Sequence, residues 1–248
     1  MLARDGASYT GSVAVIADRA NAVRIESSSY FLLQQRHELS KTYKGQALKN
    51  ELRGLLKQSN LSDMKAIDNN RYTKEVATSL QSYFIALQEL AASTAPADIG
   101  AKTSEIIGKL DDLLKAKNLA SVTLPSSIAP VTVTYISNRE LRKELISRKS
   151  SILKVLNTLD ALLSTLSQDI DGHAMSIRNA RLAMLIQPTY QDTTSASLAT
   201  LSDNELWVNL RQKDLLGSTT EGEDKRSIAE AKKSSRKFRE FFMKMTAE

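Results

Sequence analysis

Cysteine is absent from the 248-residue sequence, and glycine, proline and aromatic residues are scarce. The lack of cysteine excludes disulfides, thiolate zinc sites, iron–sulfur clusters and a cysteine nucleophile. Nine glycines and four prolines are too few turn formers for a sandwich or barrel of many short strands, so they favour a few long helices. No apolar run approaches the roughly eighteen residues that a membrane-spanning helix needs. We therefore expect an all-α chain without a membrane-spanning helix.

The dominant pattern lies between residues 138 and 187, where two interleaved series of apolar residues each repeat every seven positions. Ser137 and Glu140 are typical of a capping box, and Pro188 is expected to close the run. We predict a long central helix over 138–187, continuous or divided where Asp171 and Gly172 interrupt it. The two series are Leu145, Ile152, Leu159 and Leu166, and Leu156, Leu163, Ile170, Ile177 and Met184.

Helical patterns also fill residues 8–118, after a start at 1–7 that we expect to be flexible. The first helix covers 8–44 and is expected to end at Gly45, because glycine commonly closes a helix. A short helix with an apolar face over 48–56 follows, then a polar connection over 59–71. Two further helices, separated at Ala95 and Pro96, complete this part of the chain. These segments are predicted to pack along the central helix.

The rest of the chain consists of a connector and C-terminal helices. Residues 119–130 are rich in serine and proline, and residues 131–136 alternate β-branched side chains. Because no second strand is available to pair with them, we interpret 131–136 as an extended connector or as the irregular start of the central helix. Ser202 with Glu205, and Thr220 with Glu223, predict two helices over 202–248 that Gly217 separates. Residues 1–248 are thus predicted to form one domain, an elongated bundle of long antiparallel helices with a short C-terminal helical extension.

Few residues are candidates for catalysis. The glycine-rich phosphate loops, the nucleophile elbow and the paired-histidine zinc motif are all missing from the sequence. His37 and His173 both continue apolar stripes, and Asp169 precedes His173 by one helical turn. An imidazole and a carboxylate so spaced could share a metal. We favour the interpretation that each histidine is a partly buried structural residue. We therefore assign no catalytic, cofactor-binding or metal-ligating residue, and the protein is not predicted to be an enzyme.

Charge is uneven along the sequence. Residues 225–248 contain eight basic and three acidic residues, which accounts for five of the net +6 charges. The same segment carries an apolar stripe, so it can lie on an anionic membrane, dock in a partner's groove or form the last helix of the bundle. We favour the last interpretation. Nucleic acid is not a predicted partner, because no binding motif accompanies the charge. The candidate contact residues are Lys232, Lys233, Arg236, Lys237, Phe238, Arg239, Phe241 and Phe242.

The second of these helices contains the segment Leu80-Gln81-Ser82-Tyr83-Phe84-Ile85-Ala86-Leu87-Gln88-Glu89-Leu90-Ala91. With this segment and this order of helices, residues 8–187 resemble uncharacterised helical envelope proteins of Gram-negative bacteria, which are often lipoproteins. The resemblance implies a periplasmic or envelope-associated location and no activity. A cytoplasmic location is expected instead if Met1 is the native start.

The sequence thus favours a non-enzymatic helical interaction or scaffold protein with a protein partner. Binding to an anionic membrane surface through the C-terminal helix is the first alternative. A metal-dependent helical enzyme built around His37 and His173 is the second. Self-association remains open, because the heptad face could be buried within the chain or against another copy.

Overall fold

The computed structural model confirms the all-α fold for the residues that it describes. Apart from residues 43, 44, 148, 246 and 247, every described residue is helical. The main helices are α1 (Leu2–Thr42), α2 (Gly45–Ala92), α3 (Lys149–Tyr190) and α4 (Leu201–Met245). Among these helices, none has a stretch long and apolar enough to cross a membrane. The described residues are 2–92, 103–110, 112–113, 142, 145–190 and 201–247.

The N-terminal helices are longer than the sequence indicates. Residues 1–7 were expected to form a flexible start, but α1 begins at Leu2 and Gly6 is already buried. The polar connection predicted over 59–71 is also wrong, since α2 runs through it without interruption. This segment contains neither glycine nor proline. Most of its polar side chains stay solvated on one side of a helix, so its polarity does not require a loop.

The later helices are also continuous where breaks were predicted. Gly217 does not divide the C-terminal region, because α4 passes through it, and Gly172 does not interrupt α3. A glycine inside a helix costs only about 1 kcal/mol, which a long helix tolerates. Pro188 lies in the last turn of α3, and the helix ends at Tyr190. The predicted cap at Ser137 and Glu140 and the connector at 119–136 lie outside the described residues.

The turn between α1 and α2 confirms the predicted stop at Gly45. Its backbone φ is +53°, a left-handed conformation that side chains with a Cβ adopt only at a cost. The Tyr43 amide donates a hydrogen bond of 2.8 Å to the Leu39 carbonyl, which continues the helical pattern to the turn. A single glycine therefore allows a two-residue connection between two long helices.

The chain divides into two compact units, where the sequence predicted one domain. Unit 1 consists of Met1–Asp18, Asn70–Thr165 and Ser227–Glu248, and unit 2 consists of Arg19–Asn69 and Leu166–Arg226. Each of the four main helices contributes one segment to each unit. The two units differ in how completely they bury their apolar side chains.

Unit 1 contains a dense aromatic and aliphatic core. Phe84 of α2 packs edge-on against Phe238 of α4 with ring centroids 4.8 Å apart, and both rings are fully buried. Gly6 of α1 lies directly on these two rings. Asp18 of α1 pairs with Lys74 of α2 at 2.6 Å. From the contact of Gly6 with Phe84 to that of Asp18 with Lys74, residue numbers rise along α1 and fall along α2, as in an antiparallel helix pair.

The predicted heptad series of α3 is confirmed as the centre of the buried surface. Every member except Met184 is at most 6% exposed, and Leu156, Leu159 and Leu163 are fully buried. Because residues four and three apart fall on one helical face, the sequence alone was enough to identify this core stripe.

Candidate interaction surface and polar groove

Unit 2 exposes most of the large apolar side chains that the structure leaves in contact with solvent. Among the described side chains, fourteen of the seventeen exposed large hydrophobic residues belong to unit 2, and only three belong to unit 1. Conversely, of the thirty hydrophobic residues that are buried in the described part of the chain, unit 1 holds twenty-four. The residues exposed in unit 2 are Ile25, Phe31, Leu33, Tyr43, Leu56, Leu61, Met64, Met175, Leu182, Leu206, Trp207, Val208, Leu215 and Leu216.

Two of the faces left open have sequences typical of buried helix faces. The leucines at 48–56 in α2 are only partly covered, and Leu56 is 47% exposed. In α4, Leu206 is 66% exposed and Leu215 is 55% exposed. An exposed apolar patch larger than a few hundred Å² commonly marks an interaction site. We refer to the exposed apolar residues of unit 2 as the apolar surface.

A buried arginine connects three helix segments of unit 2. Arg181 of α3 is 8% exposed, and its guanidinium contacts both Glu26 and Tyr30 of α1. It also donates a 2.8 Å hydrogen bond to the carbonyl of Lys213 in α4. Burial alone lowers the pKa of Arg181, but the bonds to Tyr30 and Glu26 outweigh burial and raise that pKa. Arg181 thus connects α1, α3 and α4 within unit 2, and removing Glu26 would leave a buried charge without its partner.

A polar groove lies between α1, α2 and α3 within unit 2. Its volume is about 680 Å³, and it is open to solvent. Arg24 of α1 donates from Nε to Asp63 of α2 at 3.0 Å and from Nη2 to Ser62 Oγ at 3.0 Å. This ion pair leaves the groove without an uncompensated charge. The lining residues are Arg24, Ser27, Ser28, Tyr30, Phe31, Gln34, Leu55, Gln58, Ser59, Ser62, Asp63, His173, Ser176, Asn179 and Ala180.

His173 projects into this groove from α3. Burial lowers the pKa of His173 below 6.5, and the nearby positive charge of Arg24 lowers it further. Asp169 and Asp63 oppose these two effects without reversing them. The imidazole is therefore uncharged at neutral pH, with one nitrogen as a donor and the other as an acceptor. The partly buried position predicted for His173 is confirmed.

The other histidine contradicts the expectation of partial burial. His37 of α1 is exposed, because the end of α1 lies among the less buried residues of unit 2. Among the described residues, no three histidine, aspartate or glutamate side chains lie close enough together to hold a metal ion.

The structure changes the interpretation of the basic C-terminal segment. Phe238 and Phe242 are fully buried in unit 1, so their predicted contact with a membrane or partner is wrong for this structure. Arg239 is also occupied, because it donates to Asn157 at 2.7 Å. Lys233, Arg236 and Lys237 are exposed, Lys232 and Phe241 are half-buried, and their predicted contact role stays a prediction.

A partly buried polar cluster that the sequence did not reveal connects this segment to α1 and α3. The Tyr9 hydroxyl donates to Asp160 Oδ1 at 2.5 Å, and Ser235 donates to the same oxygen at 2.8 Å. Arg239 Nη2 lies 2.7 Å from Asp160 Oδ2 as an ion pair, although its direction does not give a hydrogen bond. Burial raises the pKa of Tyr9, and the bond to Asp160 raises it further, so its hydroxyl stays protonated.

Comparisons with protein-family models, curated proteins and solved structures give no match to this chain. The predicted resemblance to helical envelope proteins therefore remains a prediction. The functional argument depends on the chain's own surfaces, namely the apolar surface and the polar groove of unit 2.

Proposed function

We propose that the protein is a non-enzymatic interaction protein that binds another protein through the apolar surface of unit 2. The observation that carries this proposal is the concentration of exposed large apolar side chains in unit 2. Burying apolar area against a partner is favourable by about 25 cal/mol per Å² before the costs of association. Unit 1 supplies the stable core, and unit 2 supplies the binding surface.

The chemistry of the surface supports a protein partner. Its exposed side chains include Trp207, Phe31 and Met175, and aromatic residues and methionine are enriched at protein interfaces. Trp207 is also held in place, because its indole nitrogen donates to the Leu185 carbonyl at 3.1 Å. An aromatic residue already held by a hydrogen bond loses less conformational freedom on binding. The proposal includes an envelope location only because the sequence resembles helical envelope proteins.

Site-specific photocrosslinking in cells tests this proposal. The photoreactive residue p-benzoylphenylalanine is placed at Met64 or Leu216 in unit 2, or at Val15 or Ile85 in unit 1. All four side chains are exposed and apolar, so the unit 1 positions are matched controls. We expect discrete protein adducts from Met64 and Leu216 and none from Val15 and Ile85. Absence of adducts from unit 2, or equal adducts from both units, would contradict the proposal.

A second variant separates binding from stability. Leu61→Gln and Leu215→Gln remove apolar area at exposed positions, where substitutions usually change the free energy of unfolding by less than about 0.5 kcal/mol. We expect these substitutions to abolish the adduct from Leu216 while the thermal unfolding midpoint stays close to that of the wild type. Adduct yield that persists in this double variant would show that the apolar side chains do not provide the binding energy.

A further inference from the structure

We propose that the polar groove of unit 2 binds a neutral polyhydroxylated ligand, of which a linear oligosaccharide is the representative chemistry. This inference concerns a different class of ligand from the proposed protein interaction, and Phe31 is the one described side chain that the groove shares with the apolar surface. The groove has a volume of about 680 Å³, which lies within the range of small-molecule sites in proteins.

Three exposed amide side chains of the groove can exchange hydrogen bonds to water for hydrogen bonds to a ligand. Within the described part of the chain, the side chains of Gln34, Gln58 and Asn179 form no hydrogen bond, although all three line the groove. Each amide offers two N–H donors and one carbonyl acceptor. A sugar hydroxyl is both a donor and an acceptor, so a row of amides can satisfy it in either role. The uncharged imidazole of His173 offers the same pair of roles.

The charges of the groove disfavour an anionic ligand. Arg24 is the cation among the lining residues, and its Nε is already paired with Asp63 at 3.0 Å. An anion would have to compete with this carboxylate and would approach its negative charge. A neutral ligand meets neither cost, and it can still accept hydrogen bonds from the guanidinium edge.

The form of the groove also disfavours the usual ways of binding a peptide. Its walls are three helices, so they present no strand edge to which a peptide could add. Most lining side chains are polar, whereas an amphipathic helix requires an apolar groove. Phe31, which is 47% exposed, provides a flat apolar face of the kind on which the C–H face of a sugar ring can stack.

Protein-observed NMR titration of the full chain tests this inference. The probes are maltohexaose and N-acetylated chitohexaose, with inorganic phosphate and a neutral, uncharged hexapeptide as comparison ligands. We expect at least one oligosaccharide to bind saturably, with a Kd of about 1 mM or tighter, and to shift resonances of groove residues. Tighter binding of phosphate or of the peptide, or no saturable binding of either oligosaccharide, would overturn the proposal.

Matched variants test whether the bound ligand lies in the groove. Gln34→Ala, Asn179→Ala and Phe31→Ala each remove one lining side chain, and we expect each to weaken binding by roughly threefold to tenfold. Gln168→Ala and Leu33→Ala are the controls, since both residues are exposed in unit 2 but do not line the groove. The controls should bind as the wild type does. Equal losses in both sets would mean that the shifts report another site.

Discussion

Single residues determine how the polar side chains of unit 1 are paired. Asp160 is the clearest example, because Tyr9, Ser235 and Arg239 all converge on its carboxylate in unit 1. A tyrosine that is fully buried, as Tyr9 is, needs a partner for its hydroxyl, and Asp160 provides one. The partner lies 151 positions away in the sequence, so no local pattern could have identified it.

Tyr9→Phe tests the strength of this cluster. We expect the substitution to lower the free energy of unfolding by about 1.5–3 kcal/mol, the range for hydrogen bonds to charged groups. Tyr43→Phe is the control, since Tyr43 is exposed and its hydroxyl makes no hydrogen bond within the described residues. Chemical denaturation measured by circular dichroism distinguishes the two variants. Equal stability of Tyr9→Phe and wild type would contradict the assigned role of the Tyr9–Asp160 bond.

His173 should make the stability of the protein depend on pH. Because its folded-state pKa lies below the ordinary 6.5, the unfolded chain binds the proton more readily than the folded chain. Stability is therefore fully present above pH 6.5 and declines as the pH falls below it. The facing charges are Arg24 on α1, Asp63 on α2 and Asp169 on α3.

We expect His173→Gln to reduce this decline when unfolding is measured from neutral pH down to pH values below 6.5. His37→Gln removes an exposed imidazole and is the matched control. If both variants lose stability on acidification as steeply as the wild type, burial of His173 does not contribute to the pH dependence.

Among the helices of unit 1, Gly6 sets how closely α1 can approach α2 and α4. A Cβ placed on Gly6 would lie 2.7 Å from Phe84 Cδ2 and 2.8 Å from Phe238 Cε2. Both rings are fully buried, so neither can easily move aside. The sequence analysis placed Gly6 in the start at 1–7, outside the first predicted helix, so this contact was not predicted.

Gly6→Ala should therefore destabilise unit 1 by about 1–3 kcal/mol, as is usual when a methyl group is forced into a packed core. Gly54→Ala is the control, because nothing lies within 4 Å of its added Cβ, and it should stabilise α2 by about 0.5–1 kcal/mol. Thermal unfolding of both variants gives the comparison. Stabilisation by Gly6→Ala would show that the two rings yield to the new methyl group.

For the whole molecule, the important contrast is between the two units. The same four helices contribute to both units, yet the buried apolar residues are concentrated in unit 1 and the exposed ones in unit 2. Segments with few buried apolar contacts open at a lower free energy than the global unfolding of the protein. A surface that reorganises on binding another protein would come from such a segment.

Native-state hydrogen exchange measures this contrast within single helices. In α2, we expect amides near Val76 and Leu87 to exchange at least roughly tenfold more slowly than amides near Leu52 and Ser62, after correction for intrinsic rates. The corresponding comparison in α4 sets Ile228 and Phe242 against Leu206 and Leu215. Uniform protection along α2 and α4 would contradict a difference in local stability between the units.

The fold class, the buried stripe of α3 and the glycine turn at Gly45 could all be predicted from the sequence. These features are local, since a periodicity of seven residues and a left-handed backbone position can be recognised without knowing any distant partner. The same local rules failed at 59–71 and at Gly217, because polarity and a single glycine weaken a helix without ending it.

Which apolar faces are covered depends on contacts between distant parts of the chain. Similar stripes occur at 48–56 and at 228–242, but the first remains open and the second is buried against Phe84 and its neighbours. A helix carries the pattern for burial in its own sequence, whereas the side chains that cover it come from positions far along the chain. For the same reason, the polar groove around His173 and the cluster around Asp160 become visible only when separate helices are placed side by side.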